Sequence, residues 1–261
     1  MEYIITTAGN GGSWEAAQAL AVRLGKPAVP RDRRSLAALR EEYEVENLLV
    51  VGRNKTSLVT PHGEYYFHPS MAKLRIKQLA QGLVDPMVEA MALQPGDSVL
   101  DCTMGLAADA LVSSYITGPQ GRVVGLEGAE VLAALVEKGL QTYCDTNPDV
   151  TAAARRIEVK AAHHLEYLMA LPEQSFDVVY FDPMFRRPQT RSSSMNPLRG
   201  IALGDPISPE AINHARRVAR KRVVLKETNG SPEFKRLGFP QVEGGKYSSV
   251  GYGVWLIAGS W

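Results

Sequence analysis

The chain of 261 residues has little cysteine, few aromatic side chains and no long apolar run. Cys102 and Cys144 are its only cysteines and lack C-x-x-C spacing. That excludes a disulfide scaffold and a thiolate zinc cage, and a reduced, cytoplasmic compartment is the simple reading. No segment approaches the roughly 18 consecutive apolar residues that cross a bilayer, so no membrane partner is expected. The N-terminal MEYIITTAGNGG has neither a basic start nor an apolar h-region, and no secretory signal is expected from it. The five histidines show no ligand spacing, so no metal site is expected. Repeats and low-complexity tracts are also missing. What is present is ordinary for a well-filled core, with 45% hydrophobic and 22% charged residues. The length suits one large domain, or one domain with a small appendage.

The formal net charge of +1 conceals a split. Residues 90–182 carry 5 basic and 13 acidic side chains, whereas residues 183–261 carry 13 basic and 5 acidic. Such a division can hold a cationic small molecule on one side and attract a polyanion on the other.

Residues 1–68 read as a small N-terminal α/β domain. A β-rich run over 3–8 leads through Gly11 and Gly12 to Ser13, a cap for a helix from Trp14 to Leu24 that Gly25 and Pro27 close. Asn47 to Gly52 has the look of a buried strand, and 57–60 with 64–67 that of a hairpin. Residues 69–261 form the second unit. It opens with a helical period divided at Pro86. SVLDCT, RVVGLE, RIEVKAA, FDVVYFD and KRVVLKE then alternate with helices. Short apolar strands alternating with helices indicate a parallel sheet covered on both faces. Residues 241–247 and 251–258 are joined too tightly to be parallel and should pair antiparallel at the sheet edge.

In open α/β sheets ligands bind outside the carboxyl ends of the strands. The first such end is VLDCTMGLAAD, residues 99–109, where Gly105 lets a ligand approach the backbone closely. The dinucleotide pattern G-x-G-x-x-G is absent, and a pyrophosphate would meet Asp101 and Asp109 unfavourably. S-adenosylmethionine instead offers an ammonium and a sulfonium, which acidic residues suit. Glu127 ends the next strand 22 residues beyond Gly105, where a carboxylate can accept from both ribose hydroxyls. His163 and His164 follow the third strand, near where an adenine edge would lie; a helix-capping or packing role is the plainer alternative.

Asp182 closes the strand FDVVYFD and is followed by Pro183, Met184 and Phe185. Methylating an aromatic exocyclic amine is hard because the nitrogen lone pair is delocalised into the ring. A carboxylate and a backbone carbonyl that accept both N–H bonds draw that nitrogen towards a tetrahedral shape. Asp182 and the Pro183 carbonyl supply such acceptors, and Phe185 supplies a stacking face for an unstacked base. The residues that follow are basic: Arg186, Arg187, Arg191, Arg199, Arg216, Arg217, Arg220, Lys221, Arg222 and Lys226. Arginines pair bidentately with phosphates, so an RNA backbone is the expected partner, although Arg216, Arg217 and Arg220 could equally be a solvated helix face.

LDCTMGLAADA, the strand ending in Glu127, and VVYFDPMF together resemble the bacterial small-subunit rRNA guanine-N2 methyltransferase family, with its D-A-T-x-G-L-G-R-D-A and D-P-M-F-P turns. The resemblance implies a Rossmann-like class I methyltransferase, with a mostly parallel seven-stranded sheet ending in an antiparallel hairpin. It also implies S-adenosylmethionine as donor and guanine N2 of 16S rRNA as acceptor. Carried over by position, Ala108, Asp109, Glu127, Gly128, His163, His164 and Asp182 correspond to cofactor-contacting places. The chain departs from the family at Ala107 and Ala108, where the family has Gly and Arg. It departs again at Gly128 in place of Arg, and at Arg186 in place of the proline after D-P-M-F.

Overall fold

Strand alternation determines which side chains meet above the main sheet, and hence where its polar residues gather. The computed structural model describes residues 2–9, 11–183, 206–245 and 248–257. The main sheet has seven strands: β5 (Ser98–Asp101), β6 (Arg122–Glu127), β7 (Ile157–Ala161), β8 (Phe176–Phe181), β9 (Ala219–Thr228), β10 (Gln241–Glu243) and β11 (Val250–Leu256). Their spatial order is β10-β11-β9-β8-β5-β6-β7. β5 to β9 run parallel, and β11 lies antiparallel between β9 and β10. This is the expected mostly parallel seven-stranded sheet with its antiparallel finish. The hairpin partner β11, however, is inserted next to β9, leaving β10 at the edge.

Successive side chains in a strand point to opposite faces. Val99, Val178, Tyr180 and Val224 enter one core, with helices α3 (Ser70–Ala80), α4 (Pro86–Met91), α5 (Ala108–Thr117), α6 (Glu130–Thr142) and α7 (Pro148–Arg156). Leu100, Val179, Phe181, Val223 and Leu225 enter the other, with α8 (His164–Ala170), α9 (Pro209–Val218) and α10 (Pro232–Arg236). Among the described residues no helix is long and apolar enough to cross a membrane.

The N-terminal residues build a second sheet of four strands: β1 (Tyr3–Thr7), β2 (Asn47–Val51), β3 (Thr56–Thr60) and β4 (Gly63–Tyr66). β1 and β2 are parallel, and β2, β3 and β4 form an antiparallel meander. Helices α1 (Trp14–Leu24) and α2 (Leu36–Glu42) complete this unit. Ser13 caps α1 by accepting from the Ala16 N–H at 3.1 Å. The same buried cluster that lines the α3–α7 face continues into Tyr3, Ile5, Leu49, Val51, Leu58 and Phe67, so the two sheets share one core.

Local chemistry explains most helix starts. The break before α4 falls at 81–85, and Pro86 is the first residue of α4 rather than its interruption. Proline suits a first helical position because its missing N–H would be unpaired there anyway. Asp85 caps this helix, accepting from Met87 and Val88 N–H at 3.0 and 3.2 Å. The crossover between β6 and β7 holds two helices, α6 and α7, where the sequence reading has one.

Candidate active site

The carboxyl ends of β5, β6 and β8 converge as neighbours in the sheet. Asp101 ends β5, Glu127 ends β6, and Asp182 follows β8 directly. Backbone bonds tie the ends together: Cys102 N–H donates to Tyr180 O at 2.8 Å, and Met104 N–H to Leu126 O at 2.9 Å. Asp182 N–H donates to the Thr103 hydroxyl at 2.6 Å, so the loop after β5 holds the start of the Asp182-Pro183 turn. Gly105 sits at φ 52°, and among the described residues no atom beyond its chain neighbours lies within 4 Å of where a Cβ would stand. The backbone there is open to a ligand. Ala107, where the resembling family has glycine, also adopts a left-handed φ of 62° and precedes α5 without a side-chain cap.

Glu127 is buried, and its carboxylate accepts from the Ala129 N–H at 2.8 Å, with the Gly105 and Gly128 N–H groups also bonding to it. Burial outweighs these bonds and raises its pKa. Asp101, which accepts from Thr103 N–H at 3.1 Å, is pushed well above the usual carboxylate range by burial and by the nearby Asp109 and Asp182.

Asp109 is not open to a ligand. Its Oδ1 is taken by Arg75, and its Oδ2 accepts from the Tyr180 hydroxyl at 2.7 Å and from Lys226 Nζ at 3.0 Å. Burial would raise its pKa, but Lys226 and Arg75 together hold it well below the usual range. Arg75 is itself gripped by Asp85 through bonds of 2.6 and 2.9 Å. Lys226 Nζ also reaches Asp182 Oδ2 at 2.7 Å. The Asp182 side chain keeps 28% of its surface exposed against 10% for Asp109, so of this pair Asp182 is the one that can meet a substrate. Burial, with a push from Asp109 that Lys226 only partly offsets, raises Asp182 to about 7.

The remaining expected positions are more dispersed. Ala108 begins α5, and Gly128 is exposed just beyond Glu127. His163 caps α8 through Nδ1, which accepts from Leu165 N–H at 3.3 Å. Its ring lies 4.3 Å from that of His164, which meets Phe181 edge-on at 5.9 Å. Pro183 is half-buried beside Asp182, and Phe185 lies outside the described residues. The described residues contain no cluster of metal-ligating side chains.

The basic series requires correction. Arg186, Arg187, Arg191 and Arg199 lie outside the described residues, and the other six are engaged within the protein. Arg217 donates to Leu171 O and Leu168 O at 2.8 and 2.9 Å, closing the end of α8. Arg220 bonds Gln174 O at 2.8 Å and Asp177 at 3.3 Å, and Lys221 pairs with Asp97. Arg222 donates to Ala90 O at 3.0 Å, and the Arg216 guanidinium stacks 3.8 Å above the Trp255 ring. These five lie where β9 begins, at the opposite end of the sheet from Asp182, and each also bonds or stacks within the protein, although Arg220 and Lys221 keep 41% and 42% of their side chains exposed. Lys226, the sixth, belongs to the site. Arg75, Tyr180, Thr103 and Lys226 were not among the expected site residues. The available signal was a tyrosine in the otherwise apolar run VVYF of β8; Lys226 carried none, since charged residues lie at both ends of its strand.

A family model described as "Putative SAM-dependent methyltransferase" matches residues 37–241. The chain belongs to this family. The methyltransferase is 40% identical over 226 residues to an uncharacterised protein of Bacillus subtilis (strain 168), YpiP, covering 86% of this chain and 88% of that one. It is 27% identical over 228 residues to a protein of Pseudomonas aeruginosa (strain LESB58) named ribosomal RNA small subunit methyltransferase J, covering 85% and 84%. Its fold matches a SAM-dependent methyltransferase structure from Neisseria gonorrhoeae with a TM-score of 0.65 at 21% identity, covering 98% and 96%. The cofactor of the family is S-adenosylmethionine, and the residues fit it. The opening at Gly105 is flanked by the Asp101, Glu127 and Asp182 carboxylates, an acidic surround for a cationic ligand.

Proposed function

We propose that this methyltransferase modifies an exocyclic amine of a nucleobase, guanine N2 in small-subunit ribosomal RNA, in the cytoplasm. The observation that carries the reading is Asp182, partly exposed and followed by Pro183, at the strand end adjoining the open backbone of Gly105. The relatives named ribosomal RNA small subunit methyltransferase J support the substrate class. In this reading residues 1–68 are a small domain docked on residues 69–261, which do the chemistry.

Asp101, Gly105 and Glu127 would hold the cofactor, Glu127 by accepting from the ribose hydroxyls in exchange for backbone N–H bonds. Ala108, Gly128, His163 and His164, which the family resemblance also assigns to the cofactor, would contact its outlying parts. Asp109 acts through charge, since both its oxygens are occupied. S-adenosylmethionine, when bound, supplies an electrophilic methyl group on a sulfonium. Asp182 and the Pro183 carbonyl accept the two N–H bonds of the amine and turn its lone pair towards that methyl. Transfer would exchange the sulfonium–methyl bond for an N–C bond and leave S-adenosylhomocysteine, and Asp182 would take the proton that the nitrogen sheds, a task suited to a carboxylate raised to about 7. Phe185 stacks the base. Positioning and fixed charge do most of the work in such a transfer.

The test is methyl transfer from labelled S-adenosylmethionine to small ribosomal subunits, and to their protein-free RNA, taken from cells that lack this gene. Nucleoside digestion and mass spectrometry should find N2-methylguanosine. Label in another nucleoside, or none in RNA, overturns the proposal. A second reading, a methyltransferase of a small molecule or protein, draws on the bonds that Arg216, Arg217, Arg220, Lys221 and Arg222 make within the protein, which compete with phosphate binding. Label in the protein or small-molecule fraction of the same cells establishes it.

A further inference from the structure

We infer that Lys226 is a positioning residue, which grips one carboxylate oxygen of Asp182 and so turns the other towards the methyl acceptor. The inference rests on the proposed role of Asp182. Among the described residues, Lys226 donates to the Asp182 carboxylate at 2.7 Å on Oδ2, and the Asp109 carboxylate lies within hydrogen-bonding reach of the same group. The backbone N–H of Asp182 is separately fixed by Thr103 at 2.6 Å. Main chain and side chain are thus held from two different elements, the loop after β5 and strand β9, which restricts how the carboxylate can turn.

Lys226 has its own anchor. Its second bond, 3.0 Å to Asp109 Oδ2, ties it to a carboxylate that Tyr180 and Arg75 already immobilise. Arg75 is held in turn by Asp85, the cap of α4. A chain of alternating charge therefore runs from α4 through α3, α5 and β9 to the strand end at Asp182. Strand register makes the grip possible. Lys226 pairs with Tyr252 of β11, and it stands two residues beyond Val224, which pairs with Tyr180 of β8. Lys226 therefore projects to the same face as Tyr180, above which α5 brings Asp109. A lysine serving only to neutralise buried charge would be satisfied by Asp109. Lys226 instead bonds both carboxylates, Asp109 at 3.0 Å and the more exposed Asp182 at 2.7 Å, so the ammonium links the buried carboxylate to the one proposed to meet the acceptor.

The same bond sets the charge of Asp182. The groups facing it are Asp101 from β5, Asp109 from α5, Tyr180 from β8, Lys226 from β9 and Tyr252 from β11, with Arg75 of α3 behind Asp109. The two carboxylates favour the protonated form, and the ammonium favours the ionised, accepting form. An opposite charge within about 4–6 Å moves a carboxyl by about 1–3 pH units.

Two readouts test the inference on the full chain. One is carbon-13 NMR titration of labelled aspartate carboxyls, with the Asp182 signal assigned by its loss in Asp182→Asn. The other is the pH dependence of kcat and KM for methyl transfer to small-subunit RNA. In the wild type, the Asp182 signal should titrate near pH 7, and kcat should rise through the same range. Lys226→Met should move both upward by about one pH unit or more and lower kcat about tenfold at pH 7, with KM little changed. Asp109→Asn, which removes a like charge, should move the Asp182 titration downward. Lys226→Arg should restore most of the wild-type profile. The inference is overturned if Lys226→Met folds and leaves titration and kcat unmoved, or if it raises only KM. Should Lys226→Met fail to fold, an unmoved Asp182 signal in Asp109→Asn, or a Lys226→Arg profile no better than background, overturns it. If the wild type methylates no RNA, the proposed function fails, while the NMR arm still decides whether Lys226 governs Asp182.

Discussion

Asp182 and Glu127 are both carboxylates at strand ends, yet their surroundings suit them to separable tasks. Glu127 is buried among backbone N–H groups, whereas Asp182 is partly exposed and tethered to a cation. Asp182→Ala is expected to lower turnover by roughly 10²-fold or more, as for loss of one preorganised polar contact. Calorimetric titration should find its binding of S-adenosylhomocysteine nearly unchanged. Glu127→Ala should do the reverse at the binding step, losing about 2 kcal/mol or more of affinity, the scale of hydrogen bonds to a charged group. Equal loss of binding in the two variants would contradict this division of labour. The strand-end carboxylates were legible in the sequence because a charged residue closing an apolar run can only emerge at the rim of a sheet. Lys226 and Arg75 were not. Lys226 stands within a basic run, and only the pairing of β9 with β8 and the approach of α5 show that it turns inward to Asp109 and Asp182.

Elements whose ends carry strong local chemistry were read correctly, and those with the same chemistry in a polar setting were passed over. Trp14–Leu24 was expected with its serine cap and is present, and Ser208 caps Pro209–Val218 in the same way. α7 and α10 were not expected, although Asn147-Pro148-Asp149 and Ser231-Pro232-Glu233 each combine a cap, a first-turn proline and an acidic residue. Their apolar content is low, and the hydrophobic period that guides helix assignment is weak in such short segments. The parallel sheet was inferable from alternation of strands and helices, but the strand order and the insertion of β11 beside β9 depend on long-range pairing that no local signal encodes. α7 offers a direct check on the capping argument. Asn147 accepts from Asp149 N–H at 2.9 Å, in an exposed position with little packing to confuse the result. Asn147→Ala should cost about 1 kcal/mol in urea unfolding, and Asn147→Gly only a few tenths. Equal losses would show that the side-chain bond contributes nothing to α7.

At the scale of the whole molecule, part of the division of charge between 90–182 and the residues after it is met by ion pairs among the described residues. Lys221 pairs with Asp97 and Asp177, Arg220 with Asp177, and Lys226 with Asp109 and Asp182. The basic segment is thereby stitched to the acidic one at both ends of the sheet. The N-terminal unit is attached differently, by close packing. An added Cβ at Gly139, in α6, would stand 2.1 Å from the Phe67 Cβ and 2.7 Å from its Cγ. Phe67 follows β4, so this contact presses the N-terminal sheet against a helix of the main one. The exposed ion pair between Arg23 and Glu137 joins the same surfaces but contributes little in water. Two effects then compete in Gly139→Ala. Helix propensity favours alanine by about 1 kcal/mol, whereas forcing a methyl into a filled core costs typically about 1–3 kcal/mol. The clash is with atoms next to the Phe67 backbone, which cannot swing aside as a side-chain tip would, so the second effect should win. The variant should melt several degrees lower, at about 2–4 °C per kcal/mol for a chain of this size. Truncation of the neighbour separates the two effects. In a Phe67→Ala background the same change should become neutral or stabilising, a non-additivity of more than about 1 kcal/mol. If Gly139→Ala alone raises the melting temperature, α6 is not held tightly against Phe67, and the shared core is looser at this seam than its geometry implies.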